Sequence, residues 1–289
     1  MRVVRSVGEL RAAVRSARAD GARIGLVPTM GAFHDGHLAL MRRAREVSGF
    51  VVVSLFVNPT QFNDSADLAR YPRDEASDAA MAESVDVDLL FAPPVEAVYP
   101  PGFATNVEVS GLSTPLEGAM RGAGHFRGVA TVVTKLLNMV QPDDAFFGQK
   151  DAQQALVIRR LVRDLDLPVR IEVCPTVRER DGLAMSSRNA RLDTDARLRA
   201  PAIARALRTV EAEVARGERD APRVLAAGTR ILADAGITPE YFAAVSSDTL
   251  EPVVTITGET LVAIAAVVGG VRLIDNVLVA PSGDDAVPT

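Results

Sequence analysis

Residues 23–37 read RIGLVPTMGAFHDGH, a short apolar run that ends at a proline and is followed by a turn with two glycines and two histidines. Apolar residues then recur at helical spacing between Leu38 and Val47, so a helix is predicted directly after the turn. A strand, a polar turn and a helix in this order indicate an open α/β sheet, in which ligands bind outside the carboxyl ends of the strands. The turn is therefore the first candidate functional site.

The alternation of strand and helix continues through the first 180 residues. Short apolar runs, several of them closed by proline, predict buried strands, and a helical pattern follows one of them. The predicted strands are 51–57, 87–91, 145–147 and 169–173, and the predicted helix is 152–165. Because helices separate the strands, we expect crossover connections and a doubly wound parallel sheet with helices on both faces.

The pattern changes after Arg180. One amphipathic helix is predicted over residues 195–216 and a second over 221–235, with Gly236 as the residue that ends it. Residues 241–279 contain strand-like runs without a helical pattern, so a smaller α+β domain is expected to follow the α/β domain. The predicted domains are 1–176 and 177–289, and the tail from Pro281 is predicted to be frayed.

Charge and cysteine content exclude several classes of protein. The net charge of −5 argues against a general nucleic-acid binder, which would be strongly basic. The single cysteine, Cys174, excludes an internal disulfide and a four-cysteine zinc site. The amino terminus lacks the apolar core of a signal peptide, and the longest apolar stretch, 261–271, is too short to span a bilayer. We therefore expect a cytoplasmic protein with no membrane and no nucleic-acid partner.

The histidine pair in the first turn leaves three interpretations open. His34 and His37 could donate hydrogen bonds to phosphoryl oxygens, because the start of the following helix offers free N–H groups and a positive dipole end. They could instead bind a metal, or be unrelated polar loop residues. The turn contains neither a Walker loop nor a dinucleotide-binding glycine fingerprint.

A second cluster, FFGQKDAQQ at residues 146–154, also lies between a predicted strand and a predicted helix, so we expect it to face the same crevice. Lysine occurs only at Lys135 and Lys150, and every other basic residue is arginine, which draws attention to Lys150 as a compact cation for phosphate. Asp151 could bind a ribose or simply cap the helix, and Gln154 suits a hydroxy-carboxylate. An ordinary polar loop is the alternative.

A third cluster, DGLAMSSRN at residues 181–189, contains two adjacent hydroxyls and a guanidinium. Such a segment is suited to clamping phosphate, although a solvent-facing turn explains it equally. Between the clusters lie Asn58 and Gln61, in a segment closed by Phe62, and His125, in a glycine-rich stretch. On its own, His125 is typical of a hydrogen-bonded loop histidine.

Six motifs follow one another from about residue 24 to residue 192, and a weaker match continues to Val279. They are PTMGxxHxGH, LFVNPxQF, YPR, HFRGV, FFGxKDxQQ and GLAMSSRN. Each motif is modest alone, but six in this order at compatible spacings are specific. Together they resemble the bacterial pantothenate synthetase family.

The resemblance implies an ATP-dependent ligase that condenses pantoate with β-alanine. Pantoate would be activated as pantoyl-adenylate with release of pyrophosphate, and the β-alanine amine would then displace AMP. Mg²⁺ would accompany ATP. The family has a Rossmann-like amino-terminal domain and a smaller carboxy-terminal lid. Residues 1–176 would therefore bind ATP and pantoate, and residues 177–289 would form the lid. A homodimer is also implied.

The resemblance also implies roles for individual residues. Catalytic roles fall on His37 as proton donor and on five further residues at the phosphates, namely His34, Lys150, Ser186, Ser187 and Arg188. The implied ATP contacts are Met30, Gly31, Ala32, Phe33, His34, Asp35, Gly36, His37, Gly148, Gln149, Lys150, Asp151, Val177, Met185, Ser186, Ser187 and Arg188. The implied contacts to the acid substrates are Gln61, Gln154, Asn58 and His125, and Asp78 is the candidate Mg²⁺ ligand.

Three positions depart from the family pattern, namely Asp35, Gln149 and Ala152, where the family commonly has Glu, Glu and an aromatic residue. None of the three substitutions removes a group with a named chemical role. Two other functions remain open: a nucleotidyltransferase that places AMP on a phosphate acceptor, and a nucleotide-binding module without catalysis. A nucleotidyltransferase would not need the paired Gln61 and Gln154.

Overall fold

The computed structural model describes residues 1–62 and 65–281. The chain divides into two compact units, described separately below. The first unit comprises Met1–Gln149 and Gln153–Pro175, and the second comprises Lys150–Ala152 and Thr176–Thr289. The predicted frayed tail after Pro281 lies outside the described residues.

The first unit is built on a parallel sheet of six strands, which confirms the predicted α/β class. Its strands are β1 (Arg2–Val4), β2 (Ile24–Thr29), β3 (Phe50–Leu55), β4 (Leu89–Phe91), β5 (Asp144–Gly148) and β6 (Arg170–Cys174). They are ordered β1-β4-β3-β2-β5-β6 across the sheet. The side chains of Val51, Val52 and Val53 are all buried, as expected for a strand covered on both faces.

Helices connect the strands of this sheet, as crossover connections require. They are α1 (Val7–Ala19), α2 (Asp35–Val47), α3 (Ser65–Arg70), α4 (Glu75–Glu83), α5 (Val95–Val98), α6 (Glu117–Arg121), α7 (Ala123–Val140) and α8 (Ala152–Asp164). Short 3-10 turns occur at Pro59–Gln61 and Gln149–Asp151. Helix α1 begins with a capping box, in which Ser6 and Glu9 satisfy each other's backbone N–H groups.

Strand β2 is the point at which the strand order reverses. It pairs in parallel with β3 on one side and with β5 on the other. The chain leaves β2 toward β3 on one side and leaves the neighbouring β5 toward β6 on the other. Connections that diverge in this way open a crevice at the carboxyl ends of the two strands, where ligands bind in sheets of this type. The histidine-containing turn follows β2 and Gly148 ends β5, so both occupy this crevice edge of the first unit.

Helix α7 was not predicted, and His125 lies in its first turn rather than in a loop. Glycines 122, 124 and 128 break up the apolar periodicity of this segment, which explains why the helix was missed. Gly128 has a packing reason, because a Cβ there would lie 2.4 Å from the carbonyl oxygen of Thr60. The absence of a side chain thus lets α7 pack against the Pro59–Gln61 turn.

The second unit contains an antiparallel sheet of three strands, β7 (Pro239–Ser246), β8 (Thr260–Val268) and β9 (Val271–Val279), in that order. Its helices are α9 (Thr194–Arg199), α10 (Ala202–Ala215) and α11 (Ala221–Asp234). The prediction of one continuous helix over 195–216 was therefore wrong. Pro201 separates α9 from α10, because proline has no N–H to donate and its ring clashes with the preceding turn.

Over the residues that the structure describes, no helix is both long enough and apolar enough to cross a membrane.

The end of α11 gives a test of the fold. Gly236 has φ 64° and donates to Ala233, while the amide of Ile237 donates to Leu232, each at 2.9 Å, so the predicted helix-ending role of Gly236 is confirmed. We expect Gly236→Ala to lower the free energy of unfolding by about 1 kcal/mol, because alanine disfavours positive φ. Gly258→Ala is the control, since its Cβ would meet open space at an ordinary φ. Equal chemical denaturation midpoints for the two variants would contradict the prediction.

Candidate functional site

The turn between β2 and α2, residues 30–34, has an unusual backbone and is called the β2–α2 turn below. Gly31 has φ 89° and Ala32 has φ 53°, so two consecutive residues lie in the left-handed region. A Cβ at position 31 would lie 2.6 Å from Leu55 Cδ1 and 2.8 Å from Asp78 Oδ2, so the tight approach requires glycine. The backbone conformation of this turn is therefore constrained by the close packing of Leu55 and Asp78 against it.

Asp78 holds this turn from helix α4. Its Oδ2 accepts a hydrogen bond from the amide of Ala32 at 2.9 Å, and its Oδ1 accepts one from the amide of Phe33 at 2.7 Å. The aspartate is only 3% exposed. Asp78 was the candidate Mg²⁺ ligand, and that role stays a prediction.

His34 and His37 lie side by side at the start of α2, with ring centroids 4.2 Å apart. His34 is the N-cap residue, and its Nδ1 accepts a hydrogen bond from the amide of Gly36 at 3.1 Å. Because Nδ1 is the acceptor, a neutral His34 carries its proton on Nε2 and can donate from that atom. A donor beside the positive end of a helix is suited to stabilising phosphoryl oxygens.

The metal interpretation of the histidine pair lacks further ligands. Within residues 1–62 and 65–281, no group of three or more His, Cys, Asp or Glu side chains is arranged to hold a metal ion.

Gln61 is held at the carboxyl end of β3 by a polar network. Asn58, which is 1% exposed, donates from Nδ2 to Gln61 Oε1 and to the carbonyl of Gly128, each at 3.1 Å. The Nδ1 atom of His125 lies 2.9 Å from the carbonyl oxygen of Gln61. Since the amide oxygen of Gln61 accepts from Asn58, its Nε2 is the end left to donate, and it lies 2.7 Å from Met30 Sδ. The first unit thus brings Gln61, Asn58 and His125 together with the β2–α2 turn.

Tyr99 completes this network and was missed from the sequence. Its hydroxyl donates to Asn58 Oδ1 at 2.9 Å, and burial raises the pKa of Tyr99. Lys135 Nζ lies 4.4 Å from the ring centroid of Phe103 and 5.9 Å from that of Tyr99. In the sequence, Tyr99 is followed by Pro100 and belongs to no recognisable site motif. Its role therefore could not have been identified from the local sequence.

The two adjacent glutamines of α8 have different environments. Gln153 is buried and donates from Nε2 to the carbonyls of Leu112 and Pro115, each at 2.8 Å, while its Oε1 accepts from the amide of Glu117. Its polar atoms are therefore used within the protein. Gln154 is half-buried one residue further along the first turn of α8. This contrast is consistent with the choice of Gln154 as the substrate contact.

In the second unit, β9 anchors the segment that carries Lys150. The Nδ2 atom of Asn276 donates to the carbonyl of Lys150 at 3.0 Å. Lys150 Nζ lies 4.0 Å from Asp151 Oδ1, and the Asp151 side chain is half-exposed. Asp151 therefore gives Lys150 only a long ion pair, and phosphate binding by Lys150 stays a prediction.

The predicted phosphate clamp of the second unit follows a short antiparallel bridge between Arg178 and Ala184. The amide of Met185 donates to the carbonyl of Val177 at 2.9 Å, and Arg178 forms a double hydrogen bond with the buried Asp275 of β9. Ser186 then caps a 3-10 turn, Ser187–Arg191, by accepting from the amide of Arg188 at 3.2 Å. Asp275 and Asn276 were both missed from the sequence, because they lie 97 and 126 residues from the groups they hold.

Cys174 is not a candidate nucleophile. Burial raises the pKa of its thiol to about 11, helped by the nearby charge of Glu172. The thiolate is the reactive form of cysteine, so Cys174 is inert near neutral pH. Covalent transfer of an acyl group through this cysteine is therefore disfavoured.

Comparison with known proteins gives one consistent result. The family model described as pantoate-beta-alanine ligase matches residues 2–278. A curated pantothenate synthetase from Cereibacter sphaeroides (strain ATCC 17023) is 55% identical over 276 residues, covering 95% of this chain and 98% of the relative.

Solved structures agree with this match. The crystal structure of pantothenate synthetase from Thermus thermophilus has a TM-score of 0.92 at 47% identity and covers 97% of this chain and 100% of that chain. A pantoate-beta-alanine ligase from Francisella tularensis, crystallised with beta-gamma ATP and beta-alanine, has a TM-score of 0.79 at 34% identity and covers 96% and 97%. The chain therefore belongs to the pantoate-beta-alanine ligase family and is an enzyme of that family.

Proposed function

We propose that this enzyme condenses pantoate with β-alanine at the expense of ATP, through a pantoyl-adenylate, and releases AMP and pyrophosphate. The family assignment supports the overall ligation, and the Francisella relative was crystallised with beta-gamma ATP and beta-alanine. The observation that carries the proposal is the contact between Gln61 Nε2 and Met30 Sδ at 2.7 Å. It joins a residue suited to binding an acid to the turn suited to binding phosphate.

In the first step, a carboxylate oxygen of pantoate attacks the α-phosphorus of ATP. The bond between that phosphorus and the bridging oxygen breaks, and pyrophosphate leaves with the electron pair. Negative charge grows on the departing phosphates, where His34 Nε2–H and His37, the proposed proton donor, supply hydrogen bonds. Lys150, Ser186, Ser187 and Arg188 are also proposed to neutralise the triphosphate, as the resemblance implies.

Pantoate is proposed to be bound by Gln61 and Gln154, supported by Asn58 and His125. Asn58 fixes the orientation of the Gln61 side chain, so the Gln61 amide can donate to the pantoate carboxylate without first having to turn. A neutral amide serves better than a cation at this position, since it binds the carboxylate without suppressing its nucleophilicity.

In the second step, the amine of β-alanine attacks the acyl carbon of the adenylate. The bond from that carbon to the AMP oxygen breaks, AMP leaves, and the nitrogen loses its proton to solvent. The remaining proposed nucleotide contacts follow the resemblance. Gly148, Gln149 and Asp151 would contact the nucleotide, with Asp151 at the ribose, while Val177 would bind the adenine edge through its backbone and Met185 would close over the triphosphate.

ATP is proposed to carry Mg²⁺ with it. The described residues contain no cluster of three metal-binding side chains, and Asp78 already accepts two amide hydrogens. The protein would therefore supply few ligands to the ion, and substrate phosphates and water would supply most of them, which is the usual arrangement for Mg²⁺. The cytoplasmic location and homodimer implied by the resemblance stay predictions.

The reaction itself is tested with the purified enzyme, ATP, Mg²⁺ and the two acids. Pantoate alone should release about one equivalent of pyrophosphate per active site, because the adenylate then waits for an amine. Adding β-alanine should give continuous formation of AMP and pantothenate in equal amounts. No pyrophosphate with pantoate would contradict the proposal, and AMP transfer to a phosphate ester would favour a nucleotidyltransferase.

The adjacent glutamines of α8 give a matched test of substrate binding. We expect Gln154→Ala to raise the KM for pantoate roughly 10- to 100-fold, as loss of a hydrogen bond to a charged group predicts. Its melting temperature should be unchanged. Gln153→Ala should instead lower the free energy of unfolding by about 1–3 kcal/mol, because it leaves the buried carbonyl of Leu112 without its partner. An unchanged KM in Gln154→Ala would remove this residue from the site.

A further inference from the structure

We infer that Asp78 is a positioning residue, which sets the shape of the β2–α2 turn and through it the placement of His34 and His37. This inference rests on the proposed function, because it assigns those histidines to the phosphates of ATP. Asp78 itself would touch none of the three substrates.

The first support is the geometry of the carboxylate. Each oxygen accepts one amide hydrogen, from Ala32 at 2.9 Å and from Phe33 at 2.7 Å. Hydrogen bonds with an ionised acceptor are about twice as strong as neutral ones, and this carboxylate is almost fully buried. Two such bonds to consecutive amides fix both the position and the orientation of the backbone between them.

The second support is the backbone that these bonds hold. Gly31 and Ala32 both have positive φ, and Ala32 is one of only a few non-glycine residues in this region among those described. Consecutive amides in such a turn can converge on one side and form a concavity for an anion. Here the anion is part of the protein, and it offsets the cost of a conformation that alanine disfavours.

A chemical consequence follows for the phosphates. The amides of Ala32 and Phe33 are bonded to Asp78, and the amide of Gly36 is bonded to His34. These three backbone groups are thus used inside the protein rather than by a ligand. Phosphate recognition by this segment must then use other groups, among them its imidazoles, whose directions depend on the backbone that Asp78 holds.

The link from Asp78 to the histidines is short. Phe33, whose amide is bonded to Asp78, directly precedes His34, and His34 in turn caps α2 through Nδ1. A shift of the turn would therefore rotate the capping imidazole and its Nε2 donor. Misplacement of a catalytic group by about 1 Å can reduce the rate on the order of 100-fold.

The test compares Asp78→Asn with Asp74→Ala. The asparagine is isosteric, but its amide nitrogen cannot accept, so one turn amide loses its partner. Asp74 is exposed and caps the same helix by accepting from Ser77 at 3.0 Å. It therefore controls for general weakening of α4 without touching the turn.

Hydrogen exchange of the Ala32 and Phe33 amides provides a readout that does not need activity. In the unmutated enzyme without ligands these amides should exchange slowly, and in Asp78→Asn roughly 100-fold faster, with the rest of the sheet unchanged. Asp74→Ala should leave both amides protected. Fast exchange in the unmutated enzyme, or unchanged exchange in Asp78→Asn, would overturn the inference.

Kinetics separate positioning from metal binding. We expect kcat for pyrophosphate release to fall roughly 100-fold in Asp78→Asn, with little change in the Mg²⁺ concentration needed for half-maximal rate. Restoration of the rate by excess Mg²⁺ would show instead that Asp78 is a metal ligand, and a similar loss in Asp74→Ala would indicate a structural effect. If the unmutated enzyme released no pyrophosphate, the proposed reaction would fail, whereas the exchange measurement would still judge the role of Asp78 in the turn.

Discussion

The parallel pairing of β2 with β3 on one side and β5 on the other is the constraint on which the first unit depends. It opens the crevice at the carboxyl ends of these strands, and the chain places polar residues where each strand ends. The β2–α2 turn follows β2, Asn58 and Gln61 follow β3, and Gly148 ends β5. Residues from distant parts of the sequence therefore reach one edge because the strands that precede them are neighbours.

At this edge several backbone N–H groups are hydrogen-bonded to side chains of the protein itself. Asp78 accepts from the amides of Ala32 and Phe33, and His34 caps α2 by accepting from the amide of Gly36, so these three N–H groups are bonded within the protein. The same principle holds Gln61, whose amide oxygen is bonded to Asn58 while its nitrogen is directed toward Met30. Groups that are oriented before the substrate arrives need no reorganisation during the reaction, which is the main source of electrostatic catalysis.

The fold was largely predictable, because strand and helix signals are local. The apolar run before Pro28 and the helical spacing after Leu38 gave β2 and α2 within one to three residues. Two of the errors arose where one residue changed the backbone, as Pro201 did, and where glycines hid the helical pattern, as in α7. The motifs were recognisable, but their supporting residues were not. Tyr99, Asp275 and Asn276 act through contacts across 40 or more residues, and no short pattern records such distances.

The central claim is that pantoate is activated as an acyl-adenylate, and oxygen transfer tests it most directly. Pantoate labelled with ¹⁸O in both carboxylate oxygens is incubated with ATP, Mg²⁺, β-alanine and the enzyme, and the products are analysed by mass spectrometry. If the carboxylate attacks the α-phosphorus, AMP gains one labelled oxygen and pantothenate keeps the other in its amide carbonyl. Unlabelled AMP, or label in inorganic phosphate together with ADP, would contradict the adenylate.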